Sequence, residues 1–409
     1  MQAIIYPSII SGEIDSPKSK SIAIRILFSS LLKDITLKEN VPTSLDVIYT
    51  YDSIIKLGVR VDDKRLIKPN RINLLNNKFY AGGSATLARI LSSIALTIGG
   101  DIIIDGNETL RNRPFDGLEK ISNSTGVKIS GTKLPIRIYG KPKSNEIFLS
   151  EIESSQYVTG LIYGLLAKGG GEIIMDKNPP SLYYILLTID TLNNIGCNVS
   201  YNDNIINVGK CNEKEISLSF PGDYLLSSFY GISSILTGGE IKIKGLYSPP
   251  NYFGDHSIVN ILSEIGFKSI VSGTTWIVSN SNPIKNLYVD IEETPDIAMS
   301  LAPLGMIINL NINNIKILKI KESNRIESIK NIIEGFGGRV RINDNSIELY
   351  PNVIRYAETD CFNDHRVAMM ASTIAFIKGG KIRNAECVNK SDPDYWHRYY
   401  NVGGRLKVE

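Results

Sequence analysis

Six times along its 409 residues the chain opens a segment with a short polar or charged motif and continues in small and apolar residues with helical character. The openings fall near Lys20, Ser84, Ser155, Asp223, Asp296 and Asp364, at intervals of 64, 71, 68, 73 and 68 residues. A break and a strand-like run follow each. Four of the breaks hold a double glycine, as in Gly99-Gly100-Asp101-Ile102-Ile103-Ile104 and Gly238-Gly239-Glu240-Ile241-Lys242-Ile243. A second series, amphipathic helix then glycine then strand, interleaves with the first at Gly58, Gly126, Gly196, Gly266, Gly337 and Gly403. A period this long, holding helices and strands together, predicts six copies of an α/β unit rather than a thin solenoid. The length exceeds what one hydrophobic core serves, so two domains of three units each are expected. The backbone N–H groups at a helix start are unpaired and carry partial positive charge, so six repeated starts are six places to hold an anion.

Composition narrows the class. With 43% hydrophobic and 21% charged residues the chain reads as an ordinary globular protein, and a formal charge of +3 is too small for wholesale nucleic-acid binding. Cys197, Cys211, Cys361 and Cys387 show no CxxC pairing and the three histidines lie far apart, which argues against a disulfide framework or a zinc site and for a reducing cytoplasm. Met1-Gln2-Ala3-Ile4-Ile5-Tyr6-Pro7 lacks a basic start and a signal-peptide core. The longest apolar run, from Ala298 to Ile308, is far short of a membrane span and is broken by Pro303 and Gly305.

The chemistry sits at the helix starts. In Ser16-Pro17-Lys18-Ser19-Lys20-Ser21, Lys20 lies at the mouth of the helix, Ser21 can cap it, and Arg25 follows about one turn on. The second start, Ala81-Gly82-Gly83-Ser84-Ala85-Thr86, is glycine-rich and reaches Arg89, and Arg111-Asn112-Arg113-Pro114 introduces the next helix. Ser154-Ser155-Gln156 offers hydroxyl and amide groups for a polyhydroxylated or phosphorylated ligand, whereas Gly222-Asp223 reads as a simple acidic cap. Pro295-Asp296 caps an apolar helix. Lys321-Glu322-Ser323-Asn324-Arg325 sets a base, an acid and a guanidinium within five residues, with Lys321 and Arg325 on one side of any helix beginning there. Asn363-Asp364-His365-Arg366 and Lys390-Ser391-Asp392-Pro393-Asp394-Tyr395-Trp396 complete the set. Each motif alone has a bland reading as a cap or a solvated charge. Seven cations at equivalent entrances (Lys20, Arg25, Arg113, Lys321, Arg325, Arg366 and Lys390) suit a highly anionic small molecule, with Asp296 and Glu322 available for proton transfer.

In these motifs, almost end to end, the chain resembles the EPSP synthases of the enolpyruvyl transferase family. The resemblance implies transfer of the enolpyruvyl group of phosphoenolpyruvate to the 5-hydroxyl of shikimate 3-phosphate, with release of phosphate. It implies a two-domain inverse α/β fold of six βαβαββ-type units, three per domain. One domain would run over 1–17 and 221–409 and the other over 18–220, closing over the substrates. It assigns Lys20, Ser21, Arg25, Ser154, Ser155, Gln156, Ser181, Asp296 and Lys321 to shikimate 3-phosphate. It assigns Lys20, Ala85, Arg113, Gln156, Arg325, Arg366 and Lys390 to phosphoenolpyruvate. Lys20, Asp296, Lys321 and Glu322 are the catalytic set the resemblance implies. Glu322 is the acid toward the methylene carbon and either Asp296 or Lys321 is the base. No metal and no cofactor is implied, since the cations neutralise the phosphate and carboxylate, and a cytoplasmic monomer with no nucleic-acid or membrane partner is expected.

Two positions depart from the family pattern. Lys18 stands where a glycine is usual, which requires an ordinary backbone angle there. Ala85 stands where a glycine precedes the threonine, and its methyl narrows the phosphoenolpyruvate subsite. Lower sensitivity to glyphosate than in an Ala85→Gly variant is expected. The alternatives are the sister enzyme acting on UDP-N-acetylglucosamine, whose reactive cysteine has no counterpart between Gly106 and Pro114, and a non-catalytic protein binding RNA or a phosphorylated ligand on the same scaffold.

Overall fold

The computed structural model describes residues 1–281 and 286–409. The chain forms two compact units, one continuous (Lys20–Phe220) and one split (Met1–Ser19 with Pro221–Glu409). Among the described residues there are six four-stranded sheets, three in each unit, and all six share one strand order.

The repeat is clearest in the continuous unit. Strand Leu75–Tyr80 passes through helix Ala85–Ile98 into the parallel strand Gly100–Asp105. Helix Gly117–Thr125 then leads to the antiparallel strands Lys128–Ile129 and Ile136–Gly140. The parallel step needs a crossover helix, whereas the last two strands are joined as antiparallel neighbours. Laid out in space the order is first, second, fourth, third. Glu146–Leu149, Gly171–Met175, Cys197–Asn202 and Ile205–Cys211 repeat it, as do Asn286–Asp290, Asn309–Asn313, Arg339–Ile342 and Ser346–Tyr350.

The other three sheets are completed from far along the chain. Ile216–Leu218 is the first strand beside Ile35–Leu37, and Gly12–Asp15 is the first strand beside Glu240–Lys244. Gln2–Tyr6 is the fourth strand between Gly380–Arg383 and Arg405–Val408. The six repeats and the βαβαββ order expected from the sequence are therefore present, with N-terminal strands closing two of them.

The glycines of the second series explain how each unit turns. Gly58, Gly126, Gly196, Gly266, Gly337 and Gly403 all have positive φ, between 76° and 106°, just past the second helix of their repeat. That left-handed angle ends a helix and is cheap only without a Cβ.

Strand alternation sends Ile102 and Ile104, Ile241 and Ile243, and Leu310 and Ile312 into the cores. In the continuous unit helix Ala85–Ile98 packs directly on helix Ser155–Lys168. Gly160 and Gly164 permit that approach: a Cβ on Gly160 would lie 2.4 Å from the Ile90 carbonyl oxygen, and one on Gly164 would lie 2.6 Å from Thr97 Cβ. Among the described residues no helix is long and apolar enough to cross a membrane.

One expectation is overturned. Cys197 and Cys211 are opposite each other on neighbouring antiparallel strands and are joined by a disulfide, although the spacing in sequence argued against any framework. Strand pairing brings together two residues that no short motif links.

Candidate active site

In the continuous unit the polar groups gather where the central helices begin. Lys20 opens helix Lys20–Ser29, and its Nζ lies 3.0 Å from Asp46 Oδ2, with both groups largely buried. Ser21 stands within the first turn rather than capping it, and its carbonyl accepts from Arg25 at 2.8 Å. Arg25 is buried: Nε donates to Thr188 Oγ1 at 2.9 Å, a second nitrogen donates to the Tyr184 carbonyl at 2.8 Å, and the guanidinium faces the Tyr184 ring.

Ser154 caps helix Ser155–Lys168 by accepting from the Gln156 N–H. Gln156 is held at both ends, Oε1 accepting from Arg89 at 3.0 Å and Nε2 donating to Thr86 Oγ1 at 2.8 Å. Arg89 also donates to the Pro114 carbonyl at 2.9 Å, which fixes the chain beside Arg113. Ala85 is buried at the first position of its helix, with Ser84 as the cap. Ser181 has φ +63° just before helix Tyr183–Asn194. A non-glycine residue there carries about 1–2 kcal/mol of strain, of the kind that concentrates at functional sites.

In the split unit the charges form one network. Asp296 Oδ1 meets Arg325 at 2.6 Å and Lys321 at 3.2 Å, and Oδ2 meets Arg366 at 3.3 Å. Arg325 turns its other edge to Asp364, Nε to Oδ2 at 2.8 Å and a terminal nitrogen to Oδ1 at 3.2 Å. Such two-point contact fixes orientation as well as charge. Asp364 caps helix His365–Lys378 through the Arg366 N–H. Glu322 is shared, Oε1 with Lys390 at 2.8 Å and Oε2 with His365 Nδ1 at 3.0 Å.

Burial opposes ionisation of Asp296, but Lys321, Arg325 and Arg366 outweigh it and hold the carboxyl well below its usual range. For Asp364 burial is likewise outweighed by Arg325, and the carboxyl stays low. Burial pulls the Arg325 guanidinium down, yet Asp364 and Asp296 more than restore it, so it remains charged. Glu322, Asp364 and His365 bring candidate ligand atoms within 4.8 Å of one another. Both carboxylates already bind a cation, so a divalent ion would have to displace Lys390 and Arg325.

The family model of EPSP synthase (3-phosphoshikimate 1-carboxyvinyltransferase) matches residues 5–399. A 3-phosphoshikimate 1-carboxyvinyltransferase of Saccharolobus solfataricus is 41% identical over 411 residues, covering 99% of both chains. Those of Sulfurisphaera tokodaii and Caldivirga maquilingensis are 40% and 35% identical at the same coverage. The chain belongs to the EPSP synthase family. Its fold is similar to that of an EPSP synthase from Acinetobacter baumannii, with a TM-score of 0.79 at 18% identity over 100% of this chain and 99% of that one.

For this EPSP synthase family member, several local expectations change. Asp296 makes no side-chain cap bond, because its oxygens are taken by the three cations, and the helix it precedes is only Ile297–Leu301 before a 3₁₀ turn. Lys321 and Arg325 do not share a helix: Lys321 follows the 3₁₀ turn Ile315–Ile320 and Arg325 begins helix Arg325–Gly335, yet both reach Asp296. Lys390 ends the 3₁₀ turn Ala385–Lys390, and the following helix starts at Tyr395. Pro114 likewise precedes its helix, which begins at Gly117. Lys18 has an ordinary φ and bridges to Gly222, so the side chain in place of glycine is accommodated.

The glycine-rich second start has a packing reason: a Cβ on Gly82 would lie 2.2 Å from the Tyr49 ring. Asp46 escaped the sequence reading, and Arg89, Asp364 and His365 stood in its motifs without an assigned role in the site. Arg89 had a signal, since it stands five residues past Ser84 as Arg25 stands five past Lys20.

Proposed function

We propose that the chain transfers the enolpyruvyl group of phosphoenolpyruvate to the 5-hydroxyl of shikimate 3-phosphate by addition and elimination, releasing phosphate. The observation that carries the reading is the split-unit network, in which Asp296 and Glu322 are surrounded by Lys321, Arg325, Arg366 and Lys390. Arg325, Arg366 and Lys390 take the phosphate and carboxylate of phosphoenolpyruvate, a role the resemblance also gives to Lys20, Ala85, Arg113 and Gln156. Ser21, Arg25, Ser154, Ser155, Gln156 and Ser181, together with Lys20, Asp296 and Lys321, take shikimate 3-phosphate.

The ion pairs suggest how proton transfer is timed. Lys390 neutralises Glu322 before substrate arrives. When Lys390 turns to an anionic substrate oxygen, Glu322 is released to act as the acid toward the methylene carbon. Asp296 is a weak base while three cations hold it, and it strengthens as Arg325 and Arg366 are drawn to phosphoenolpyruvate. It then accepts the 5-hydroxyl proton, with Lys321 orienting that oxygen. The cations stabilise charge developing on the phosphate and carboxylate, so the reading calls for no cofactor. A cytoplasmic monomer is part of the same proposal, and sedimentation tests the monomer.

The test is phosphate release from phosphoenolpyruvate with shikimate 3-phosphate or UDP-N-acetylglucosamine as acceptor. Release is expected only with shikimate 3-phosphate. Glu322→Gln should lower kcat by about 100-fold or more, and Lys390→Met should raise KM for phosphoenolpyruvate by roughly tenfold. No release with either acceptor from folded protein sinks the reading, and a fully active Glu322→Gln variant removes Glu322 as the acid.

A further inference from the structure

The three central helices of the continuous unit carry candidate site residues where they begin, and a cavity that the proposed reaction does not use where they finish. Helices Lys20–Ser29, Ala85–Ile98 and Ser155–Lys168 bring Leu31 and Leu32, Ile98, and Leu166 and Lys168 to its lining. A helix of 14 residues such as Ala85–Ile98 spans about 21 Å, so the cavity is a separate place. It holds about 1280 Å³, room for a ligand of nucleotide size.

Its charge is one-sided. Lys68, Arg71, Lys141, Lys168 and Lys210 line it, and among the described residues no carboxylate does. Together these five charges exceed the +3 of the whole chain. Acids close by in the chain are turned to other partners. Asp34, which accepts the Lys68 backbone N–H, pairs with Arg65 at 3.2 Å, and Asp101, beside Gly100, pairs with Arg137 at 2.8 Å.

Cations beside helix ends can simply answer the helix dipole, and Lys168 does so for its own helix. That accounts for too little here. Three helix ends bring about −0.5 charge each, against five whole positive charges, four of them on loops or a strand. A further cation, Lys33, is buried next to Leu32 of the lining. Its Nζ donates to the Ile195 carbonyl at 2.6 Å and to Asn212 Oδ1 at 2.8 Å. Burial, and then the like charge of Lys68, push this ammonium down. Like charges crowded in this way repel until an anion joins them.

The walls are close-packed backbone. Gly99 and Gly100 form one of the double-glycine breaks. A Cβ on Gly99 would lie 2.7 Å from the Gly140 carbonyl oxygen, and one on Gly100 would lie 2.3 Å from that of Leu74. The same Leu74 carbonyl accepts from Asp101 at 2.7 Å. Leu31, Leu74 and Leu166, all buried, supply apolar surface with Ile98. All three repeats of the unit contribute cations, so the site exists only once they are assembled.

We propose that this cavity binds a nucleoside triphosphate, the cations taking its phosphates and the apolar lining its base. Four of the five cations are lysines, whose compact ammonium groups suit phosphate oxygens, whereas planar carboxylates are better matched by arginine. The apolar lining has no use for an inorganic phosphate chain, which favours a ligand that carries a base.

The experiment titrates ATP, and separately inorganic triphosphate, into the full-length protein by calorimetry without substrates. One ATP per chain is expected, with a micromolar Kd about threefold or more tighter than that for triphosphate and weakening as salt rises. Lys141→Glu combined with Lys210→Glu should weaken ATP binding by about tenfold or more and leave phosphate release with shikimate 3-phosphate unchanged. Both side chains are exposed, so the variant is expected to fold, which dichroism checks. Lys141→Gln with Lys210→Gln, a milder pair, should weaken ATP binding less. Lys20→Met, at the opposite end of the helices, should bind ATP as the parent does. No heat with either compound, binding that survives both pairs of substitutions, or binding lost in Lys20→Met overturns the site. Triphosphate bound as tightly as ATP overturns the role given to the apolar lining. Binding is read without turnover, so protein that binds ATP but releases no phosphate with either acceptor would count against the proposed reaction alone.

Discussion

Asp296 accepts from three cations at once, and this ties the stability of the split unit to pH. Its carboxyl, and that of Asp364, are held below the unfolded value, so the stability they contribute is present above about pH 4 and is lost as pH falls through the folded values. Asp392 acts in the opposite sense. Burial raises its carboxyl despite Arg398 and the Tyr230 hydroxyl, so the folded state binds its proton more tightly and gains stability as pH falls toward the unfolded value. Resistance to urea should therefore hold or rise slightly from neutrality to about pH 4 and fall below it. Asp296→Asn should be clearly less stable than the parent at pH 7, where Lys321, Arg325 and Arg366 lose a shared anion. The gap should narrow below pH 3. Tryptophan fluorescence follows this unit alone, because Trp276 and Trp396 are the only tryptophans and both belong to it. A gap that stays constant from pH 7 to pH 3 would show that the three cations do not set the Asp296 carboxyl.

At the scale of helices and strands, what could be read in advance depended on how local the cause was. The six helix starts and the six closing glycines were legible because a cap or a left-handed turn is specified within a few residues. Roles created by packing were not. Asp46 becomes the counter-ion of Lys20 only after helix Leu45–Lys56 docks, and Lys321 and Arg325 meet on Asp296 from a 3₁₀ turn and a separate helix. The Cys197–Cys211 bond needs strand register, which no spacing rule supplied.

Gly160 and Gly164 belong to this second kind: they look like weak helix residues and are in fact the contact face toward helix Ala85–Ile98. A methyl on Gly160 cannot be absorbed by a flexible neighbour, because the nearest atom is the Ile90 backbone oxygen. Gly160→Ala should cost the continuous unit about 1–3 kcal/mol. In urea titrations the far-ultraviolet dichroism transition of that unit should move to lower urea, while the tryptophan-reported transition stays in place. Unchanged dichroism would mean that the helix pair separates without penalty.

The whole molecule is written in a different order from the one in which it folds. The split unit takes its N-terminal strands from residues 1–19, and the two ends of the chain meet: Gln2 N–H donates to the Glu409 carbonyl at 2.8 Å and Glu409 N–H donates to the Gln2 carbonyl at 2.9 Å. The two borrowed strands are not equivalent. Gly12–Asp15 lies at the edge of its sheet, whereas Gln2–Tyr6 lies inside one and, among the described residues, is the sole partner of Arg405–Val408. Losing Gln2–Tyr6 also removes the buried Ala3 and Ile5 from the core. A chain of residues 221–409 followed by a short glycine–serine linker and residues 1–19 should therefore fold by itself and unfold cooperatively by tryptophan fluorescence. Residues 221–409 alone should not. Restoring 1–7 should recover more of the transition than restoring 8–19, because an interior strand satisfies two neighbours and an edge strand one. If residues 221–409 fold as cooperatively without the N-terminal strands, the crossing of the chain is incidental to the stability of that unit. If the permuted chain fails while residues 20–220 fold, the split unit needs its neighbour as well as its own strands.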